Sequence, residues 1–196
     1  MPGGPAFGAP PPGVGTTDRL HIVTGAPGTG KSTLIAALAE AGVATSAEVG
    51  RQIIREQRAI GGTALPWGNE TAFAALMIQR EVAAHAAACA RGGTVVLDRG
   101  VPDVIGFLRV SALAVPAAID AAAHAHRYNP CVFIAPFWRD IFVRDAERPQ
   151  SAESAAATHD VMVSTYRDYG YALVELPRAS VAARVAFVLD HLKEAP

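Results

Sequence analysis

The chain has 196 residues, 51% of them hydrophobic, which is enough for one domain with a sizeable core. Its 17 basic and 18 acidic residues leave a net charge of −1, which argues against the basic surface of a nucleic-acid binder. No run approaches 18 apolar residues, and the first residues lack the charged-then-apolar pattern of a secretory signal, so no membrane association and a cytoplasmic location are expected.

Residues 1–17 are rich in proline and glycine and contain no charged side chain. Such a segment cannot bury enough apolar surface to offset its ordering entropy, and a flexible tail is expected there, with the folded domain over 18–196. Residues 20–24 read as a buried strand. The segment Gly25-Ala26-Pro27-Gly28-Thr29-Gly30-Lys31-Ser32 follows, and a helix is expected over 31–41. Strand, glycine-rich loop and helix in that order form a phosphate cradle: loop and helix N–H groups converge on one concavity, where they meet phosphate oxygens. Lys31 would reach the β/γ-phosphates, and the Ser32 hydroxyl would bind Mg²⁺. A nucleoside triphosphate is the expected ligand.

Further strands are expected at 43–47, 94–97, 131–135 and 171–176, with helices at 51–60, 70–91, 104–110, 116–126, 139–147, 152–169 and 180–192. Five strands alternating with helices predict an α/β fold, a parallel sheet covered on both faces. In such a sheet ligands bind at the carboxyl ends of the strands. Cys89 and Cys131 are each set in an apolar run and are expected to be buried thiols. The six histidines form no helical metal pair, and no zinc site is expected.

The residues that follow the strands therefore carry the chemistry. Asp98 closes an apolar strand, as a Mg²⁺-side acid does, although helix capping is the plainer alternative. Arg99 stands beside it where a water-activating glutamate would favour hydrolysis, so phosphoryl transfer to a bound acceptor suits the pair better. Arg99 would hold substrate or pair with Glu48. Glu48 would accept the proton of an attacking hydroxyl, or anchor Arg51 three residues later. Asp103 caps the next helix or contacts substrate. Arg144 and Arg148 lie four apart in a segment that would close over the phosphates, or they belong to a solvated helix. Trp67 and Trp138 would plug a core edge or wall a ring-shaped substrate.

The loop, the 48–51 segment, Gly61-Gly62, Leu65-Pro66-Trp67, Asp98-Arg99-Gly100 with Pro102-Asp103, and Asp145-Ala146-Glu147-Arg148 together resemble small bacterial AAA-family ATPases. These are grouped with the kinase domain of nicotinamide riboside kinases. The resemblance spans about residues 18–194. It implies the P-loop NTPase architecture of nucleoside and nucleotide kinases, three layers around a five-stranded parallel sheet of order 2-3-1-4-5. It further implies ATP and Mg²⁺ as cofactors, with the ATP phosphates held by the loop from Gly25 to Thr33. Asp98-Arg99 is similar to the acid–arginine pair of those kinases, Glu48 to their base, and the Arg144/Arg148 region to their lid. Adenine usually rests near the loop after the fifth strand, here residues 177–181. No signature of a particular sugar or base is present.

Three functions follow. The first is a small-molecule kinase whose acceptor is held by Glu48, Arg51, Arg99 and Asp103. The second is a regulatory or partner-binding nucleotide hydrolase with slow turnover. The third is a motor-type ATPase, which chain length and Arg99 both disfavour.

Overall fold

The structure is a computed structural model and describes residues 17–141 and 151–194. Five strands form one parallel sheet: β1 (Leu20–Thr24), β2 (Ala44–Ser46), β3 (Val95–Asp98), β4 (Cys131–Ile134) and β5 (Ala172–Glu175), in the order β2-β3-β1-β4-β5. The three central strands are the apolar ones, because a parallel sheet covered by helices on both faces leaves no side of them in water. Every residue of β1 and β3 is buried, whereas the edge strands β2 and β5 are only partly so.

Seven helices are described: α1 (Lys31–Glu40), α2 (Val49–Ile60), α3 (Glu70–Arg91), α4 (Val101–Val110), α5 (Ala117–Ala125), α6 (Ala152–Asp168) and α7 (Val181–Glu194). The alternation of side chains along the strands separates two cores. Leu20 and Ile22 of β1 with Val95 and Leu97 of β3 meet residues of α2 to α6, among them Ile53, Ile54, Phe73, Ile78, Val104, Ile105 and Tyr166. Val23, Val96 and Phe133 face the other way, onto Leu34, Ile35 and Leu38 of α1 and Val188 of α7.

Local chemistry sets the ends of the elements. Asn69 caps α3 by accepting from the Ala72 N–H at 3.0 Å, and Ser151 caps α6 in the same way. Gly61 ends α2 in the left-handed conformation at φ +66°. Two helices start earlier than their periodicity predicts. α2 begins at Val49, directly after Glu48, and α4 begins at Val101, because Pro102 is tolerated in a first turn that needs no internal N–H bond.

One expectation fails. Cys131 is exposed and Cys89 only half-buried, because Cys131 is the first residue of β4, at the sheet rim, and burial starts at Val132. The 1–17 tail lies outside the described residues but for Thr17. Of the helix expected at 139–147, only a 3-10 turn at Arg139–Ile141 is described. Among the described residues no helix is long and apolar enough to cross a membrane.

Candidate functional site

β1 delivers the chain into the phosphate loop at the carboxyl end of the sheet, and α1 carries it away. Gly25 is required by space as well as by conformation: at φ +131°, a Cβ there would lie 2.6 Å from the Ala135 carbonyl oxygen of the neighbouring crossover. Gly28 and Gly30, at φ +75° and +79°, curl the backbone so that successive N–H groups face one concavity. Thr29 donates to the Ala26 carbonyl at 2.9 Å and holds the loop closed. Lys31 is buried, and its Nζ donates to the Ala26 carbonyl at 2.6 Å and to Thr29 Oγ1 at 3.2 Å. A cavity of about 290 Å³ opens over this loop, lined by Pro27 through Thr33 together with Glu48, Arg51, Arg99 and Ile141.

The residues after β2 and β3 close the opposite wall. Glu48, the residue preceding α2, is buried, with Oε1 3.1 Å from Arg99 Nε and Oε2 3.4 Å from Arg51 Nε. Arg99 follows β3 with φ +77°, a left-handed conformation that a non-glycine residue adopts only when its surroundings compel it. Here the compulsion is visible: its N–H donates to the Val23 carbonyl at 3.1 Å and its guanidinium is held between Glu48 and Asp103. Burial opposes the charge of Arg99, but Glu48, Asp103 and Asp98 outweigh it and hold the group firmly protonated.

Asp103 is the hub of this wall. Its Oδ1 accepts from Thr24 Oγ1 at 2.6 Å and Arg99 Nη1 at 2.8 Å, and its Oδ2 from the Gly100 N–H at 3.0 Å and Tyr166 Oη at 2.6 Å. Four bonds fill a carboxylate's lone pairs, so Asp103 acts first as the capping and anchoring residue, joining β1, α4 and α6. Asp98 differs. It is 4% exposed, its Oδ1 has no partner, and burial, with Glu48 adding to it against Lys31 and Arg99, pushes its carboxyl up to about 6. Beneath them Glu81 of α3 is 2% exposed, with Oε1 unpartnered. Desolvation, reinforced by Asp103, raises its pKa well above the carboxylate range.

A second cavity, of about 220 Å³, lies on the far side of that wall. It shares Pro27, Glu48 and Arg99 with the first and continues between Phe73 and Met77 of α3, Phe107 of α4 and Met162 of α6. Phe73 and Phe107 meet edge to face at 5.1 Å between ring centres. Polar groups mark both ends: Glu48, Arg99 and Asp103 within, and the Glu70–Ser111 pair, 3.1 Å apart, at the mouth.

Lys31, Ser32, Glu48, Arg51, Asp98, Arg99 and Asp103 are thus brought to one rim. Arg144 and Arg148 lie outside the described residues. Trp67 does not plug the core: it is 49% exposed with Arg58 over its ring, and its neighbour Pro66 lines the second cavity. Sequence reading misses Phe73, Met77, Phe107 and Met162, whose helical spacing looks like ordinary core. It also misses Tyr166, Glu81 and Arg184 of α7, the last of which is 3% exposed behind the phosphate loop.

Comparison with known proteins agrees with this frame. A deoxyadenosine kinase from M. mycoides, solved with the products dCMP and dCDP, matches at 12% identity and TM-score 0.63, over 90% of this chain and all of that one. The NadR protein in complex with NR matches at 17% identity and TM-score 0.68, over 90% of this chain but only 51% of that one, so this chain spans about half its length. Shikimate kinase from Acinetobacter baumannii in complex with shikimate matches at 18% identity and TM-score 0.53, over 89% and 92%. At such identities the likeness is one of fold, that of the P-loop kinases. No curated protein matches the sequence. The model of the AAA domain family matches residues 20–184, most of the chain and every residue of both cavities but no part of the tail, and the chain belongs to that family.

Proposed function

We propose that the chain is a phosphotransferase that moves the γ-phosphate of ATP to a hydroxyl of a small, nucleoside-like acceptor. The observation that carries this reading is the shared wall: among the described residues, Pro27, Glu48 and Arg99 line both the phosphate-loop cavity and the apolar cavity. A donor in one and an acceptor in the other would meet at these residues. A hydrolase needs no second cavity walled by aromatic and thioether side chains.

In this reading the loop from Gly25 to Thr33 binds the triphosphate, with Lys31 turning from the Ala26 carbonyl to the phosphate oxygens. The acceptor oxygen attacks the γ-phosphorus, the bond to the β–γ bridging oxygen breaks, ADP leaves, and the hydroxyl proton passes to Glu48. A loose phosphoryl-transfer transition state asks little basicity of that carboxylate, so its two arginine partners do not disqualify it. Arg99, with Arg51 beside it, offsets charge at the transferring group, and Arg144 and Arg148 are assigned to the lid. Asp103 bounds the acceptor pocket while holding Arg99.

Ser32 and Asp98 fit a Mg²⁺ ion: Ser32 lines the phosphate cavity, and Asp98 carries a buried oxygen with no partner. Among the described residues no group of three His, Cys, Asp or Glu could hold a metal alone, so the remaining ligands would be phosphate oxygens and water, as Mg²⁺ prefers. The ion would screen the triphosphate charge. Two free cysteines, one exposed, suit a reducing cytoplasm.

The test is ATP consumption measured with and without a panel of nucleosides, nucleotides and vitamin-like alcohols. Consumption rising at least about tenfold with one acceptor is the expected result. Tight ATP binding with flat, slow turnover across the whole panel would replace this reading with a regulatory hydrolase.

A further inference from the structure

Arg184 stands in the first turn of α7, on the opposite side of the phosphate loop from Glu48 and Arg99, and Ser180 Oγ caps that turn through the Ala183 N–H at 3.3 Å. Three circumstances oppose its charge. It is 3% exposed; a helix's first turn is the positive end of its dipole; and no carboxylate among the described residues pairs with it. Its partners are neutral: Nε donates to the Pro177 carbonyl at 2.8 Å, Nη1 to the Thr29 carbonyl at 3.0 Å, and the Trp138 ring lies 5.5 Å away. Nη2 is buried with no partner. Desolvation pulls its pKa below the ordinary arginine value, with no acidic neighbour to restore it. A bound polyanion next to the loop would offset these penalties, since it is attracted by the same uncancelled charge and the same helix end.

The Thr29 bond adds a directional effect. Thr29 C=O and Gly30 N–H belong to one trans peptide and point to opposite sides. Holding the carbonyl against Arg184 turns the Gly30 N–H away from α7, toward the cavity that Gly30 lines. That N–H donates to no backbone carbonyl among the described residues. Gly30 also leaves the room this needs, because a Cβ there would sit 3.3 Å from Arg184 Nη1.

We infer that Arg184 is a positioning residue of the donor site: it locks the Thr29–Gly30 peptide with its N–H toward the triphosphate, lends the site an unneutralised positive charge, and ties the phosphate loop to the loop after β5. This rests on the triphosphate half of the function proposed above and not on the acceptor.

The experiment is calorimetric titration of inorganic tripolyphosphate into the unaltered chain, R184A and R184K, with melting curves to establish folding. R184A is expected to bind at least about tenfold more weakly, with millimolar guanidinium restoring most of the loss, and R184K to fall between. A purely packing role gives no rescue by guanidinium, and that result overturns the inference, as does R184A binding within about twofold of the unaltered chain. If R184A does not fold, R184K decides alone: severalfold weaker binding by a folded protein supports the inference, and equal binding overturns it. Absence of tripolyphosphate binding by the unaltered chain overturns the donor-site reading itself, and this inference with it.

Discussion

The two cavities that share Glu48 and Arg99 are built in opposite ways. The phosphate-loop side is mostly backbone: the loop from Gly25 to Ser32, with three glycines at positive φ, and the first turn of one helix make a cradle whose chemistry is its N–H groups. The apolar side is mostly side chain, drawn from four helices, α2, α3, α4 and α6, and the loops between elements, over more than 100 residues of sequence from Pro27 to Met162. A backbone site depends on a few positions, here its glycines, Lys31, Ser32 and the Thr29 side chain that closes the loop. A side-chain cavity takes its selectivity from each wall, so the two sides are expected to respond differently to substitution.

The largest separation should come from Lys31→Met. It removes the loop cation proposed to turn from the Ala26 carbonyl to the phosphates, and nucleotide-dependent transfer is expected to fall by roughly 1000-fold, read as phosphate release or product formation. If activity survives within about tenfold, the donor cavity is not the reaction site. Glu48→Gln probes the wall between the cavities. Acceptor-dependent transfer should drop about 100-fold while the nucleotide dissociation constant stays within about threefold, measured by equilibrium binding. Full transfer by this variant removes Glu48 as proton acceptor.

Phe107→Leu tests the acceptor side alone. The acceptor KM should rise about tenfold, through loss of the edge-to-face ring pair with Phe73, while the ATP KM holds. A matched rise in both KM values would mean that the cavities are not separate subsites. Asp98→Asn acts through pH. Its folded pKa of about 6 lies above the unfolded value near ~3.9, so the native state holds the extra proton. The stability associated with that proton is present below about pH 4 and is lost as pH rises through 6. Urea melts of ligand-free protein should therefore show the Asn variant gaining on the unaltered chain by roughly 1 to 3 kcal/mol at pH 8, with little difference at pH 4. A gap that does not widen with pH sinks the assignment. The smallest effect is expected at Glu81. Burial favours the neutral form of this carboxyl, so Glu81→Gln should cost less than about 1 kcal/mol at pH 7, whereas Glu81→Lys should prevent stable folding.

The same contrast explains what could be read before folding. The strands ending at Thr24, Ser46 and Asp98 bear their polar residues at or just beyond apolar runs, so Glu48, Asp98 and Arg99 could be assigned to one rim from pattern alone, while Asp103 could be read only as a helix cap or a substrate contact. Their partners could not. That Asp103 is saturated by four bonds while Asp98 is left with an empty oxygen depends on Thr24 and Tyr166 arriving from β1 and α6. Phe73, Phe107 and Met162 carry no mark to separate a cavity wall from core, since both need apolar side chains at helical spacing. Cys131 misled because an apolar neighbourhood in sequence does not say where a strand leaves the rim.

By itself, then, the sequence determined the phosphate-loop half: the parallel α/β frame, its strand order through family resemblance, and the phosphate loop. Each depends on local periodicity or on contiguous residues whose backbone conformation needs glycine. Tertiary structure alone decided the apolar cavity, the hub at Asp103 and the buried cation at Arg184. These depend on burial and charge contributed by elements distant in sequence, and side chains acquire desolvation, pairing and shape only when helices close over the sheet.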